Sequence, residues 1–193
     1  MRKRILIVTC ELLPVPGQPV RGGGLRVWGL GEGLRAHGHE VMYALPKASV
    51  TDDVKLPDAL KHYLYVPEGL NELILEVMPD LLIVEQWGVA TFIDDLKIPL
   101  IIDLHGPLSL ENAFKQSANF LSDALTKIEA LGKADLLVCP GQYQRNYFLT
   151  WFLMAGADPL HAPIEVVPVS LDKNLPAHEW PAAPRFVFGG VTW

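Results

Sequence analysis

The chain has 193 residues, 50% of them hydrophobic and 20% charged, with 16 glycines, 16 prolines and a mean hydropathy of +0.22. That length fits one domain of ~100–200 residues, or one domain and the start of another, and it can bury a core without disulfide or metal staples. The hydrophobicity excludes disorder, and no apolar run reaches the ~18–20 residues of a membrane span. The formal charge of −6 argues against nucleic acid, which calls for a basic face.

Residues 4–10 (RILIVTC) read as a first strand. The basic start has the outline of a signal peptide, but Glu11 and Pro14 interrupt the apolar stretch before any small-residue cleavage site. Further apolar runs follow at 40–45 (EVMYAL), 63–66 (YLYV), 80–85 (DLLIVE), 99–104 (PLIIDL), 135–139 (DLLVC) and 165–168 (EVVP). Continuous apolar character without alternation marks parallel strands covered on both faces. Between them, Val27, Leu30 and Leu34 form a helical stripe closed by Gly38, and Leu70, Leu73, Ile74 and Val77 form another ended by Pro79. Residues 108–131 and 141–155 predict two more helices. The alternation implies βαβ units in a Rossmann-like, doubly wound parallel α/β sheet.

Cys10 and Cys139 each end an apolar run in a candidate buried strand, and no CxxC or Cys/His spacing suggests zinc. A reduced, cytoplasmic setting follows. His37 and His39 flank Gly38 without a carboxylate partner, so they make no metal site. The stripe Tyr143, Tyr147, Phe148, Trp151, Phe152 and Met154 reads as core packing. Residues 173–184, with three prolines and no periodicity, read as a linker after a domain of residues 1–172. Residues 185–193 (RFVFGGVTW) then read as the first strand of a second domain, or else as an added edge strand of the one sheet.

In an open parallel sheet, ligands bind outside the carboxyl ends of the strands. After the first strand, Arg21 precedes Gly22, Gly23 and Gly24 at the mouth of a helix. Such glycines let the backbone approach a pyrophosphate, with Arg21 as a charge partner; the plainer alternative is a turn-rich loop. Gly31-Glu32-Gly33 carries a GxGxxA match, but it falls inside the predicted helix and makes no dinucleotide fingerprint, which argues against an NAD-dependent oxidoreductase. GxxxxGK[ST] does not occur either. After the fourth strand stand Glu85, Gln86, Trp87 and Gly88, and after the fifth His105 and Gly106. A carboxylate and a histidine on adjacent strand ends can face one crevice and move protons or bind sugar hydroxyls.

The segments Glu11-Leu12-Leu13-Pro14, Arg21-Gly22-Gly23-Gly24-Leu25 and Gly38-His39-Glu40-Val41 resemble the opening of glycogen-synthase-like retaining glycosyltransferases of the GT-B fold. Residues 80–87 are similar to that family's D-V-V-H-x-H-x-W segment, and Asp103-Leu104-His105-Gly106 to the strand ending in its active-site histidine. Ala134-Asp135 and Pro168-Val169-Ser170-Leu171-Asp172 resemble further signatures, all in the family's order. The chain departs from the pattern at Arg21, often lysine there, at Glu85, often histidine, and at Gly141, often serine. Which pair of the three glycines takes the family role is open, because the distance to Gly38 is slightly short.

The resemblance implies a division of labour. The N-terminal Rossmann-like domain receives a carbohydrate or lipid-linked acceptor. A C-terminal Rossmann domain, carrying a Glu–seven–Glu motif, holds most of the nucleotide-sugar donor. His105 would be the catalytic residue beside the donor sugar. Glu11, Arg21, Gly22, Gly23, Gly24, Glu85, Trp87 and Gly106 would bind donor or acceptor. No metal or other cofactor is implied, and the 193 residues by themselves would not turn over. Peripheral membrane contact is compatible with such an enzyme, though the negative charge does not favour it. A stand-alone Rossmann-like module binding a glycan or nucleotide without chemistry is the alternative.

Overall fold

A computed structural model describes residues 1–57, 60–114, 119–158 and 160–169. The expected linker at 173–184, the strand at 185–193 and the segment Ser170-Leu171-Asp172 lie outside the described residues. Seven strands form one sheet: β1 (Arg4–Val8), β2 (Glu40–Pro46), β3 (His62–Tyr65), β4 (Leu81–Glu85), β5 (Leu100–Asp103), β6 (Leu136–Cys139) and β7 (Ile164–Val166). Their order is β3-β2-β1-β4-β5-β6-β7 and every pairing is parallel. The helices are α1 (Gly22–Ala36), α2 (Leu70–Val77), α3 (Trp87–Ala90), α4 (Leu108–Phe114), α5 (Phe120–Leu131) and α6 (Gln142–Met154).

The direction of winding reverses between β1 and β4, which makes their carboxyl ends the topological switch point. Successive side chains of a strand point to opposite faces. Ile5 and Ile7 accordingly join Val27 of α1, Val41, Tyr43 and Ile83 in one core layer. Leu6 and Val8 join Ile74 of α2, Ala130 of α5 and Phe148 and Phe152 of α6 in the other.

Four expectations are refined. The first strand ends at Val8 rather than residue 10, because Thr9 and Cys10 turn away to bind a carboxylate described below. Cys10 is therefore exposed beyond the strand, whereas Cys139 is buried. The region 108–131 carries two helices, α4 and α5. Of the stripe on α6, Phe148 and Phe152 are core, but Tyr143 and Met154 are exposed.

Tyr147 and Trp151 of that stripe cover a lysine. Lys127 of α5 is fully buried, its Nζ 4.0 Å from the Trp151 ring centroid and 3.1 Å from the Tyr147 hydroxyl. It forms no ion pair among the described residues. Burial lowers its pKa to about 7, so the folded state favours the neutral amine that the unfolded chain protonates up to its ordinary value. Stability therefore rises with pH above 7. Lys127→Met is expected to be the more stable protein at pH 7, and its advantage should shrink by about 2 kcal/mol between pH 7 and 9. Urea unfolding of both at the two pH values checks this; a constant difference would mean a solvated ammonium.

Candidate functional site

Glu85 and Asp103 are register partners at the ends of β4 and β5, two residues beyond Ile83 and Ile101. Both therefore face the α1 side of the sheet, and both are fully buried. A buried carboxylate needs partners, and each has a different set.

Asp103 is held by Arg26 of α1, with Nε 2.8 Å from Oδ2 and Nη2 2.7 Å from Oδ1. Arg26 is itself only 4% exposed, and its Nη1 donates to the Val167 carbonyl at 2.8 Å. One side chain thus ties α1, β5 and the exit of β7 together. Sequence reading missed this pair, although a charge beside Val27 in a helix stripe and an acid closing the run LIID were both visible signals.

Glu85 is held from three sides. The Thr9 hydroxyl donates to Oε2, the Cys10 backbone N–H donates to Oε2 at 2.9 Å, and His105 Nε2 lies 3.0 Å from Oε1. Burial opposes charge on both members of the Glu85–His105 pair. It is outweighed in each: Glu85 is lowered below 4.5 by His105, Thr9 and Cys10, and His105 is raised above 6.5 by Glu85 with Asp103 behind it. Each partner thus favours the charged form of the other, carboxylate beside imidazolium.

Two stabilising contributions follow, with opposite pH dependence. The His105 term is full below 6.5 and is lost as pH rises through its folded pKa. The Glu85 term is full above 4.5 and is lost as pH falls through its folded pKa. The pair therefore stabilises most between those ordinary values. In an NMR titration of the histidine ring protons, His105 is expected to titrate above 6.5 and to move down in Glu85→Gln; a value at or below 6.5 in the parent chain would contradict the pairing.

The other ring nitrogen, Nδ1, lies 3.3 Å from Gln86 Nε2. Gln86 is 8% exposed, adopts φ +68°, and its Oε1 has no partner. A charged ring donates from both nitrogens, so the Gln86 oxygen answers Nδ1 when the amide turns over. The sequence places Gln86 at this strand end but gives it no role, because a left-handed φ at a non-glycine residue leaves no signal.

The glycines at the mouth of α1 serve close approach. A Cβ on Gly23 would lie 1.9 Å from Glu85 Oε1 and 2.8 Å from Glu11 Oε2, and one on Gly24 would lie 2.1 Å from the Leu12 carbonyl oxygen. Gly22 faces open space. The Gly24 N–H already donates to Glu11 Oε2 at 3.0 Å, so Glu11 supplies the negative charge that a helix N-terminus favours. Arg21, the N-cap residue, is exposed.

A cleft of about 600 Å³ opens beside these groups, lined by Cys10, Glu11, Gly23, Gln86, His105, Gly106 and Glu111, with Tyr65, Val89, Phe92 and Leu108 as its apolar wall. The structure thus brings Glu11, Gly23, His105 and Gly106 together at the switch point, over the buried Glu85. Arg21, Gly22, Gly24 and the fully buried Glu85 do not line it, and neither does Trp87. Its ring is 5% exposed and belongs to the core under α3, with Nε1 unpartnered, so the expectation that it binds donor or acceptor is corrected. The left-handed turn at Gln86 starts α3 immediately, and the first helical side chain falls inward. Among the described residues no group of three His, Cys, Asp or Glu is arranged to hold a metal ion, and no helix is long and apolar enough to cross a membrane.

A seven-stranded parallel sheet with flanking helices and an open cleft at its switch point makes this a Rossmann-like α/β domain. A family model described as Glycosyltransferase Family 4 matches residues 20–174, and the chain belongs to that family. No curated protein matches the chain in sequence. Among solved structures, the chain is similar to sucrose-phosphate synthase from Thermosynechococcus elongatus, with TM-score 0.62 and 14% identity over 86% of this chain and 48% of that one. An α-glucosyltransferase in complex with UDP-glucose and DNA containing an abasic site gives 0.55 and 15%, over 89% of this chain and 44% of that one. Glycyrrhiza uralensis UGT73P12, complexed with glycyrrhetinic acid 3-O-monoglucuronide, gives 0.51 and 11%, over 88% and 49%. These likenesses show the GT-B type of fold, and the chain spans less than half the length of each structure.

One expectation falls here. Net acidity was read as an argument against nucleic acid, yet a protein sharing this fold is solved with DNA. Net charge is a sum over the whole surface and does not describe the one face a partner meets.

Proposed function

We propose that the chain is the acceptor-side half of a retaining glycosyltransferase that moves a hexosyl group from a nucleotide sugar to an acceptor hydroxyl. The observation that carries this reading is the Glu85–His105 pair at the floor of an open cleft, at the β1/β4 switch point of a Family 4 domain. Glu85 keeps Nε2 of His105, which leaves Nδ1 as the ring nitrogen able to leave Gln86 and meet a donor-sugar hydroxyl. Biased toward its charged form by Glu85, the ring favours the negative charge that develops on the departing phosphate. Gly22, the one glycine at the mouth of α1 with open space above it, gives the donor diphosphate its approach beside Arg21. Glu11 and Gly106 line the acceptor side. As the family resemblance implies, the departing phosphate itself assists the acceptor hydroxyl, and a second Rossmann domain completes the donor site.

The test is a sugar-transfer assay with a panel of nucleotide sugars, run on the 193-residue chain and on the same chain fused to the C-terminal Rossmann domain of a Family 4 glycosyltransferase. The joined protein should transfer with retention of anomeric configuration, and the 193-residue chain should not. His105→Ala should abolish transfer. Transfer by the 193-residue chain alone would sink the two-domain reading, and inversion would sink the mechanism.

A further inference from the structure

The cleft carries a charge pattern that bears on what the acceptor is. Of the described residues that line it, none is lysine or arginine, while Glu11 and Glu111 both turn a carboxylate toward it. Glu11 uses Oε2 on the Gly24 N–H, and Glu111 has no hydrogen-bond or ion-pair partner among the described residues. A Cβ on Gly106 would lie 3.0 Å from Glu111 Oε1 and 3.6 Å from Gln86 Nε2, so these two side chains close over one glycine.

Gln86 makes a second, independent observation. More than nine-tenths buried, it is held in a left-handed conformation on the cleft wall, and its Oε1 lacks a partner. Strain and an orphaned polar group kept together in a cleft point to a ligand that completes them. Opposite stand Phe92, 46% exposed, and Leu108. Carboxylates and an amide accept and donate to hydroxyls, and an aromatic face packs against ring C–H groups. A phosphate ester would instead bring between one and two negative charges beside the Glu11 and Glu111 carboxylates, and among the described lining residues the one cationic ring, His105, already answers Glu85.

We propose that Glu111, together with Glu11 and the Gln86 amide, makes this cleft a seat for an uncharged polyhydroxylated acceptor and turns phosphorylated acceptors away. The proposal rests on the transferase reading for the word acceptor, but it concerns binding alone. Glu111 is the specificity-determining residue in it, because Glu11 is engaged with α1 and Glu111 is free.

The experiment is a chemical-shift titration of the 193-residue chain with glucose, fructose and maltose, and in parallel with glucose 6-phosphate and fructose 6-phosphate. The Phe92 and Gly106 amides serve as reporters. Each neutral sugar should move them, and its phosphate should bind at least about tenfold more weakly, with the gap narrowing as salt screens the carboxylates. Glu111→Lys should bring the phosphates level with or ahead of their parents. Glu111→Gln, a gentler change in a half-buried site, should shrink the gap by several-fold. A phosphate binding as tightly as its parent would overturn the proposal. So would a gap unchanged in Glu111→Gln, or reporters that no neutral sugar moves. Failure of sugar transfer in the longer protein would sink the transferase reading and leave this binding result standing, so the two failures are separable.

Discussion

Asp103→Ala is expected to destabilise the chain by about 3–5 kcal/mol, because it leaves a guanidinium buried without its counter-charge. Arg26 is 4% exposed, and the acid it would lose accepts two hydrogen bonds of 2.7 and 2.8 Å. Its remaining bond, to the Val167 carbonyl, does not neutralise it. Arg26→Ala should cost about as much, for the mirror-image reason, and should also free the exit of β7. The double variant Arg26→Met/Asp103→Leu removes both charges and restores apolar volume, so it should recover most of the loss. Urea unfolding of the three variants reads this directly. Single variants that cost under about 1 kcal/mol would show a solvated pair, of the kind found on protein surfaces.

Gly24→Ala is expected to cost at least about 1–3 kcal/mol, the range for forcing a carbon into a packed site. The new Cβ would lie 2.1 Å from the Leu12 carbonyl oxygen, and a backbone atom cannot swing aside. Gly33, nine residues later in the same helix, is the contrast. Nothing lies within 4 Å of its Cβ position, and its φ is not in the left-handed region. Gly33→Ala should therefore stabilise by about 0.5–1 kcal/mol through backbone entropy and helix propensity. Opposite signs for one substitution in one helix would show that the glycines at the mouth of α1 are there for contact. Gly23→Ala adds a chemical readout, since its Cβ would displace the Glu85 carboxylate at 1.9 Å. His105 should then lose its elevated pKa along with that partner. If Gly24→Ala and Gly33→Ala shift the urea midpoint equally, the close approach of α1 to the Leu12 carbonyl is wrong.

Much of the frame was legible in the chain itself. The run DLLIVE places Glu85 at the end of a buried strand because continuous apolar residues need cover on both faces, and β4 lies where that run predicts. The run PLIIDL places His105 just past the neighbouring strand end in the same way. Two strand ends in adjacent positions mark the location of the cleft. Trp87 shows the limit of that logic. Sequence position puts it next to Glu85, but the left-handed φ of Gln86 decides which way the chain turns, and it turns the indole into the core. The glycine trio shows another limit. Its sequence suggests space for a phosphate, whereas Gly23 and Gly24 hold space for Glu85, Glu11 and the Leu12 carbonyl, and only Gly22 is open.

The sequence by itself determined the parallel α/β class, the chain order of the strands and the strand ends where chemistry gathers, together with the motif order that resembles the family. All of these are written in local periodicity and spacing, which depend on neighbours a few residues apart. Only the tertiary structure decided that Arg26 answers Asp103 across 77 residues, that Glu85 answers His105 across 20, and that Glu11 caps α1 from 13 residues away. Such pairings depend on which faces converge when the sheet twists and α1 settles on it. Burial then turns each convergence into a requirement, because a charge removed from water must find its partner within a few ångströms.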